Sequence, residues 1–261
     1  MTGLISSEWL RLRSRRLVRI LTVLFFAIWT AVLVGNFLSH HKTDPPGKLM
    51  NTATILPEAA QLVGGAALAV MAFIVGAAYA GADWQAGTIQ ALLFWEPRRA
   101  RVMLAKVATL VMFVVLLGVV VLLYFLPGLY LVGSARGSTV GVNGDVWRDT
   151  VSSGGRGLAI AVFAGLLGFA VAHLTRNTGG ALGAGFVWFA ILESIVAGLR
   201  PQLTHLMIVP NIAAWISGQF DYSVKGVQHV IGRGQGGLYL LVVTTLAIGI
   251  ATALFARRDV T

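Results

Sequence analysis

The sequence predicts an all-α integral membrane protein with six transmembrane helices. Two observations carry that prediction. Of 261 residues, 57% are hydrophobic and only 11% charged, against roughly 25% charged in a soluble domain. Apolar runs also recur at about the length, roughly 20 helical residues, that crosses a hydrocarbon core ~30 Å thick. The mean hydropathy is +0.80, and the runs leave no stretch long enough for a separate soluble domain.

Residues 2–16, TGLISSEWLRLRSRR, come first. Ile5, Trp9 and Leu12 recur at helical spacing, and Arg11, Arg13, Arg15 and Arg16 fill the remaining positions. This pattern predicts a basic amphipathic helix over 1–16, suited to an anionic leaflet, with Glu8 as its one acid. The same residues also serve as a basic flank that sets topology.

Six spans are expected at about 17–38, 59–81, 102–126, 157–175, 179–199 and 238–256. The first is too long for the apolar core of a cleaved signal peptide, so it reads as a retained span. Arg176, Asn177 and Thr178 leave room only for a tight turn, which makes the fourth and fifth spans a hairpin. With the N-terminus inside, twelve of the 20 Lys and Arg fall on the cytoplasmic side and cluster near span ends. Both termini are thereby expected in the cytoplasm. Arginine-rich, Gly-, Ala- and Val-rich composition points to a GC-rich bacterial genome, hence to a bacterial inner membrane.

Net charge is +10. The basic residues flank apolar spans, so they are read as orientation signals and no nucleic-acid partner is expected. The absence of cysteine excludes disulfides, thiol catalysis and cysteine metal sites. Residues 206–216, LMIVPNIAAWI, are too short to span and too apolar for a plain loop, which fits a re-entrant or interfacial segment before the last span.

The loop after the second span reads Asp83-Trp84-Gln85-Ala86-Gly87-Thr88-Ile89-Gln90-Ala91-Leu92-Leu93-Phe94-Trp95-Glu96-Pro97. Ile89, Leu92 and Leu93 give an apolar face, Gln85 and Gln90 the other, and Pro97 forbids simple continuation. A short amphipathic helix over 83–96, beneath the spans, is expected. It serves either as a lever for another protein or as a helix resting in the headgroups.

The string from Asp83 through Gly87, Thr88, Leu92, Leu93 and Pro97, followed by Arg98, Arg99, Arg101 and Lys106, resembles the permease subunits of ABC-2 type transporters. Glu8 to Arg16 resembles their entry helix, and Phe255 to Asp259 their cytoplasmic end. Asp83 stands where glutamate is commoner, and the basic residues after Pro97 are spaced differently. The resemblance implies a single ABC-2 transmembrane domain over 1–261. It would pair with a second copy or a sibling permease, and two cytoplasmic ATPase subunits would bind beneath. Asp83, Gly87, Thr88, Ile89, Leu92, Leu93 and Pro97 would then couple ATP hydrolysis to export of a drug, antimicrobial peptide or lipid-like substrate. ATP and Mg2+ would be held by the partner, since this chain has no phosphate loop and needs no cofactor of its own.

Glu193, inside the fifth span, is either a polar point on the translocation path or a structural group paired with Arg200, Arg156 or a neighbouring helix. Near the inner end of the fourth span, His173 is read as a hydrogen-bonded structural histidine. The pair Gly179 and Gly183 forms a G-x-x-x-G that would allow close helix contact, either within one subunit or at a dimer seam. Two other classes stay open. One is an intramembrane enzyme, since Phe169 and His173 match one element of CAAX-type proteases, although no Glu-Glu pair accompanies them. The other is a membrane scaffold that transports nothing.

Overall fold

The computed structural model describes residues 2–40, 50–88 and 98–257. Helix α1 (Thr2–Ser14) breaks at Arg15, whose extended backbone starts α2 (Arg16–Ser39) in a new direction. α3 (Thr52–Gln85), α4 (Arg99–Arg136), α5 (Gly144–Thr175) and α6 (Thr178–Leu199) follow. A 3-10 turn (Pro201–Leu206) leads to the apolar helix α7 (Ile208–Ser217), then to strands β1 (Gln219–Val224) and β2 (Val227–Gly232). Helix α8 (Arg233–Arg257) closes the described chain. Six of these helices, α2 to α6 and α8, are long and apolar enough to cross a membrane, so the chain is a multi-pass membrane protein.

Several helices run past the expected spans. α4 continues ten residues beyond 126, through Pro127, because Leu126, Leu129 and Val132 remain buried on one face and tertiary packing offsets the hydrogen bond that proline lacks. α5 begins at Gly144, where the Asn143 side chain accepts from the N–H groups of Asp145 and Val146. Most of the stretch between the expected third and fourth spans is therefore helical. Residues 200–237 are likewise structured, and the antiparallel hairpin there was not expected. Lys225 and Gly226 both have positive φ, the turn that joins two strands with the right twist.

The core is the pairing of α3 with α5. An added Cβ at Gly76 would stand 2.0 Å from the Gly165 carbonyl oxygen, and one at Gly168 would stand 2.3 Å from that of Phe73. Gly157 meets Gly64 and Gly65 in the same way. Near Gly64 and Gly65, residues Leu62–Ala67 form a π-helical turn within α3. The packing within one subunit that was expected at Gly179 and Gly183 is not found among the described residues. Nothing lies within 4 Å of a Cβ on Gly183, which faces away from the bundle. The tight turn between α5 and α6 is as expected, with Arg176 left-handed and the Asn177 side chain accepting from Gly180 N–H.

Chain direction alternates, so α1, the end of α3, the start of α4 and the end of α8 meet at one end of the bundle. The Arg99 guanidinium there donates to the Phe255 and Ala256 carbonyls, 3.1 and 3.3 Å away. At the opposite end a short parallel bridge, Asn51 with Ser138, ties the entry of α3 to the exit of α4.

Candidate functional site

The site is a buried ion cluster where α1, α3 and α4 converge. Lys106 Nζ lies 2.9 Å from Glu8 Oε2 and 2.6 Å from Asp83 Oδ2. Arg15 donates to Asp83 Oδ1 at 2.5 Å and to the Ala78 carbonyl at 3.2 Å. Tyr79 Oη donates to Glu8 Oε2 at 2.5 Å, and Arg11 pairs with Glu8 Oε1 at 3.1 Å. Glu8, Asp83, Lys106 and Tyr79 are all at most 4% exposed. The Lys106 ammonium also stands 4.8 Å from the centre of the Tyr79 ring, a cation-π contact.

Local structure places each member. Glu8 and Leu12 are one turn apart on α1, and both are buried, while Ile5 and Trp9 are half-buried. The inward line of α1 thus includes its acid as well as the expected apolar face. Arg13 and Arg16 are exposed. Arg15 occupies the break between helices and Arg16 opens α2, so neither belongs to α1. Tyr79 and Asp83, four apart, share a face at the end of α3, and Lys106 sits two turns into α4.

Asp83 to Gln85 form the last turn of α3 instead of opening a separate helix. Gly87, with φ +64°, ends that helix, because a left-handed residue cannot continue it. The Thr88 hydroxyl lies 3.4 Å from both the Asp83 carbonyl and its carboxylate. Ile89, Leu92, Leu93 and Pro97 lie outside the described residues.

Chemically the cluster is a clamp. Each buried carboxylate is bound by at least two donors, and every cation meets an anion. Removing a single partner from such a group leaves a buried charge uncompensated, at a cost of about 3–5 kcal/mol. Among the described residues no group of three or more His, Asp or Glu could hold a metal ion. Lys106 and Tyr79 were not singled out from the sequence as site residues. The available signal was an acid, Asp83, and a base, Lys106, each set within an apolar helical run, with a lone acid, Glu8, in the basic N-terminal helix.

Glu193 is elsewhere. A π-helical turn, Val187–Leu192, precedes it in α6. Its buried carboxylate accepts from Ile208 N–H (2.8 Å), Val209 N–H (2.9 Å) and the Trp188 indole (2.9 Å). It therefore caps the first turn of α7, where free N–H groups and the helix dipole favour an anion. Of the expected partners Arg200, Arg156 or a neighbouring helix, the helix α7 is the one it meets. The same carboxylate borders a small cavity of about 240 Å3 with Leu203 and Met207. His173 is buried among Phe169, Trp84 and Phe255, with Nδ1 3.0 Å from the Phe169 carbonyl.

Compared with models of known families and with curated proteins, the chain matches none.

Proposed function

We propose that this chain is the permease subunit of an ABC transporter of the ABC-2 type. It works as a pair of permeases above two cytoplasmic ATPase subunits, in a bacterial plasma membrane with both termini inside. ATP and Mg2+ belong to the partner. The cargo class is a drug, an antimicrobial peptide or a lipid-like molecule. α1 lies along the inner surface, residues 83–97 carry the coupling element, and α7 is a re-entrant helix of the outer leaflet.

One observation supports this reading above the rest. The segment 86–98 is framed by Asp83 before it and Lys106 after it, and the two are held 2.6 Å apart. Glu8 and Arg15 bind the same pair. A push on the segment is therefore delivered at once to α3, α4 and the α1–α2 joint, instead of being absorbed by one helix end. A lever needs that kind of root. The sequence pattern from Asp83 to Lys106 and the layout of six spans agree with it.

The test is affinity purification of the tagged chain from its native membrane. A phosphate-loop ATPase should co-purify in about equal amount. The variant Leu92→Asp/Leu93→Asp should insert normally yet lose that ATPase. Retention of the ATPase by the double variant would remove the coupling role from 83–97, and its absence from the unaltered preparation would remove the transporter reading.

A further inference from the structure

A groove of about 870 Å3 runs between α5 and α8, within the range of small-molecule sites. Its walls are almost wholly apolar, including Phe163, Leu166, Leu241 and Ile248, and Trp215 of α7 forms part of the upper wall. Thr244 and Thr245, the polar lining groups near mid-span, donate their hydroxyls back to Leu240 and Leu241. Nothing in the middle of the groove therefore calls for a polar ligand.

The end of the groove away from the ion cluster is different. Ala159 and Ile160 line it, and Arg156 lies one turn before them on α5. Arg233 immediately precedes lining residue Gly234 at the start of α8. The Arg156 guanidinium is held by the Ser152 and Ser153 hydroxyls, at 3.3 and 2.9 Å, and its Nε is buried without a partner among the described residues. The Trp215 indole donates to the Arg156 carbonyl at 3.1 Å, which fixes the groove wall to the arginine-bearing turn. Among the described residues neither guanidinium meets a carboxylate, in contrast to Arg11, Arg15 and Lys106 at the other end.

We infer that the groove binds an anionic phospholipid of the surrounding bilayer, its acyl chain along α5 and α8 and its phosphate between Arg156 and Arg233. The occupant follows from the pairing of the two ends. Apolar walls facing hydrocarbon accept a chain, and two cations that meet no carboxylate among the described residues select a headgroup with net negative charge. A zwitterionic lipid offers the same chain without the excess charge. Such binding requires neither an ATPase nor a second subunit, so it stands apart from the transport reading.

Trp215 makes the site readable. The full-length chain in detergent micelles is titrated with phosphatidylglycerol or phosphatidylcholine carrying brominated acyl chains. Quenching at Trp215 is taken as the difference from the Trp215→Phe variant. Phosphatidylglycerol should half-quench at a mole fraction roughly fivefold or more below phosphatidylcholine, given what each arginine contributes near a membrane surface. Arg156→Gln/Arg233→Gln should bring the two lipids to the same midpoint, with the chain still eluting as a single species. Should that variant not fold, 1 M NaCl serves in its place on the unaltered chain, where screening over about 3 Å should shrink the preference. Equal midpoints in the unaltered chain would overturn the inference, as would a preference that survives both the double variant and high salt.

Discussion

Lys106 Nζ and Asp83 Oδ2, 2.6 Å apart, join the start of α4 to the end of α3 across the segment that connects them. Lys106 also binds Glu8, so one ammonium serves two buried carboxylates from two helices. Lys106→Met should destabilise the protein by about 3–5 kcal/mol, because it strands both anions. Thermal unfolding in detergent measures this. Lys106→Met combined with Asp83→Asn should cost less than the sum of the two single variants, which is the signature of coupled residues.

Glu193 is expected to act on stability before activity. Its carboxylate accepts three N–H donors, two of them from the first turn of α7. Glu193→Gln removes the charge and turns one acceptor into a donor, at a cost of about 1–2 kcal/mol for the lost cap. The melting temperature should fall; on the proposed permease function, transport per folded molecule by the chain reconstituted with its ATPase should stay within twofold of the unaltered complex, roughly the scatter such small effects produce.

Two glycine substitutions should have opposite outcomes. Gly76→Ala places a methyl against the Gly165 carbonyl, which is backbone and cannot swing aside, so α3 and α5 must separate. Overpacking of this kind costs about 1–3 kcal/mol or more. At Gly183, where a Cβ meets nothing, alanine should be neutral or should stabilise by up to about 1 kcal/mol through helix propensity. Melting temperatures of the two variants, measured side by side, give the comparison.

Orientation can be read with single cysteines, because the chain has none of its own. Ser7 on α1 and Ser223 on β1 are both exposed. In intact cells an impermeant maleimide should label Ser223→Cys and spare Ser7→Cys, and permeabilisation should open both.

The spans were legible because the apolar effect is written locally: a run such as residues 17–38 carries its own message. Their true ends were less so. Pro127 reads as a stop, and only the burial of Leu129 and Val132 against other helices overrides it. The hairpin at 219–232 had a readable signal in Phe220, Tyr222 and Val224 alternating before Lys225-Gly226, but it was masked by the glycine-rich run that follows. Packing within one subunit at Gly179 and Gly183 was not met for a related reason. Spacing marks Gly179 and Gly183 as a pair, but whether a partner helix stands opposite depends on the fold. The ion cluster joins positions 8, 83 and 106, and no local pattern links residues so distant along the chain.

The glycine seam divides the molecule unequally. α3 and α5 are about three-fifths buried over their most apolar stretches, whereas α2, α6 and α8 are buried over less than a fifth of theirs. The first pair forms a dense mast, backbone against backbone, with little slack to deform. The other three are spars that hold to it by few contacts and present most of their length outward. Any rearrangement that this protein undergoes is therefore cheapest as a swing of the spars about a fixed mast.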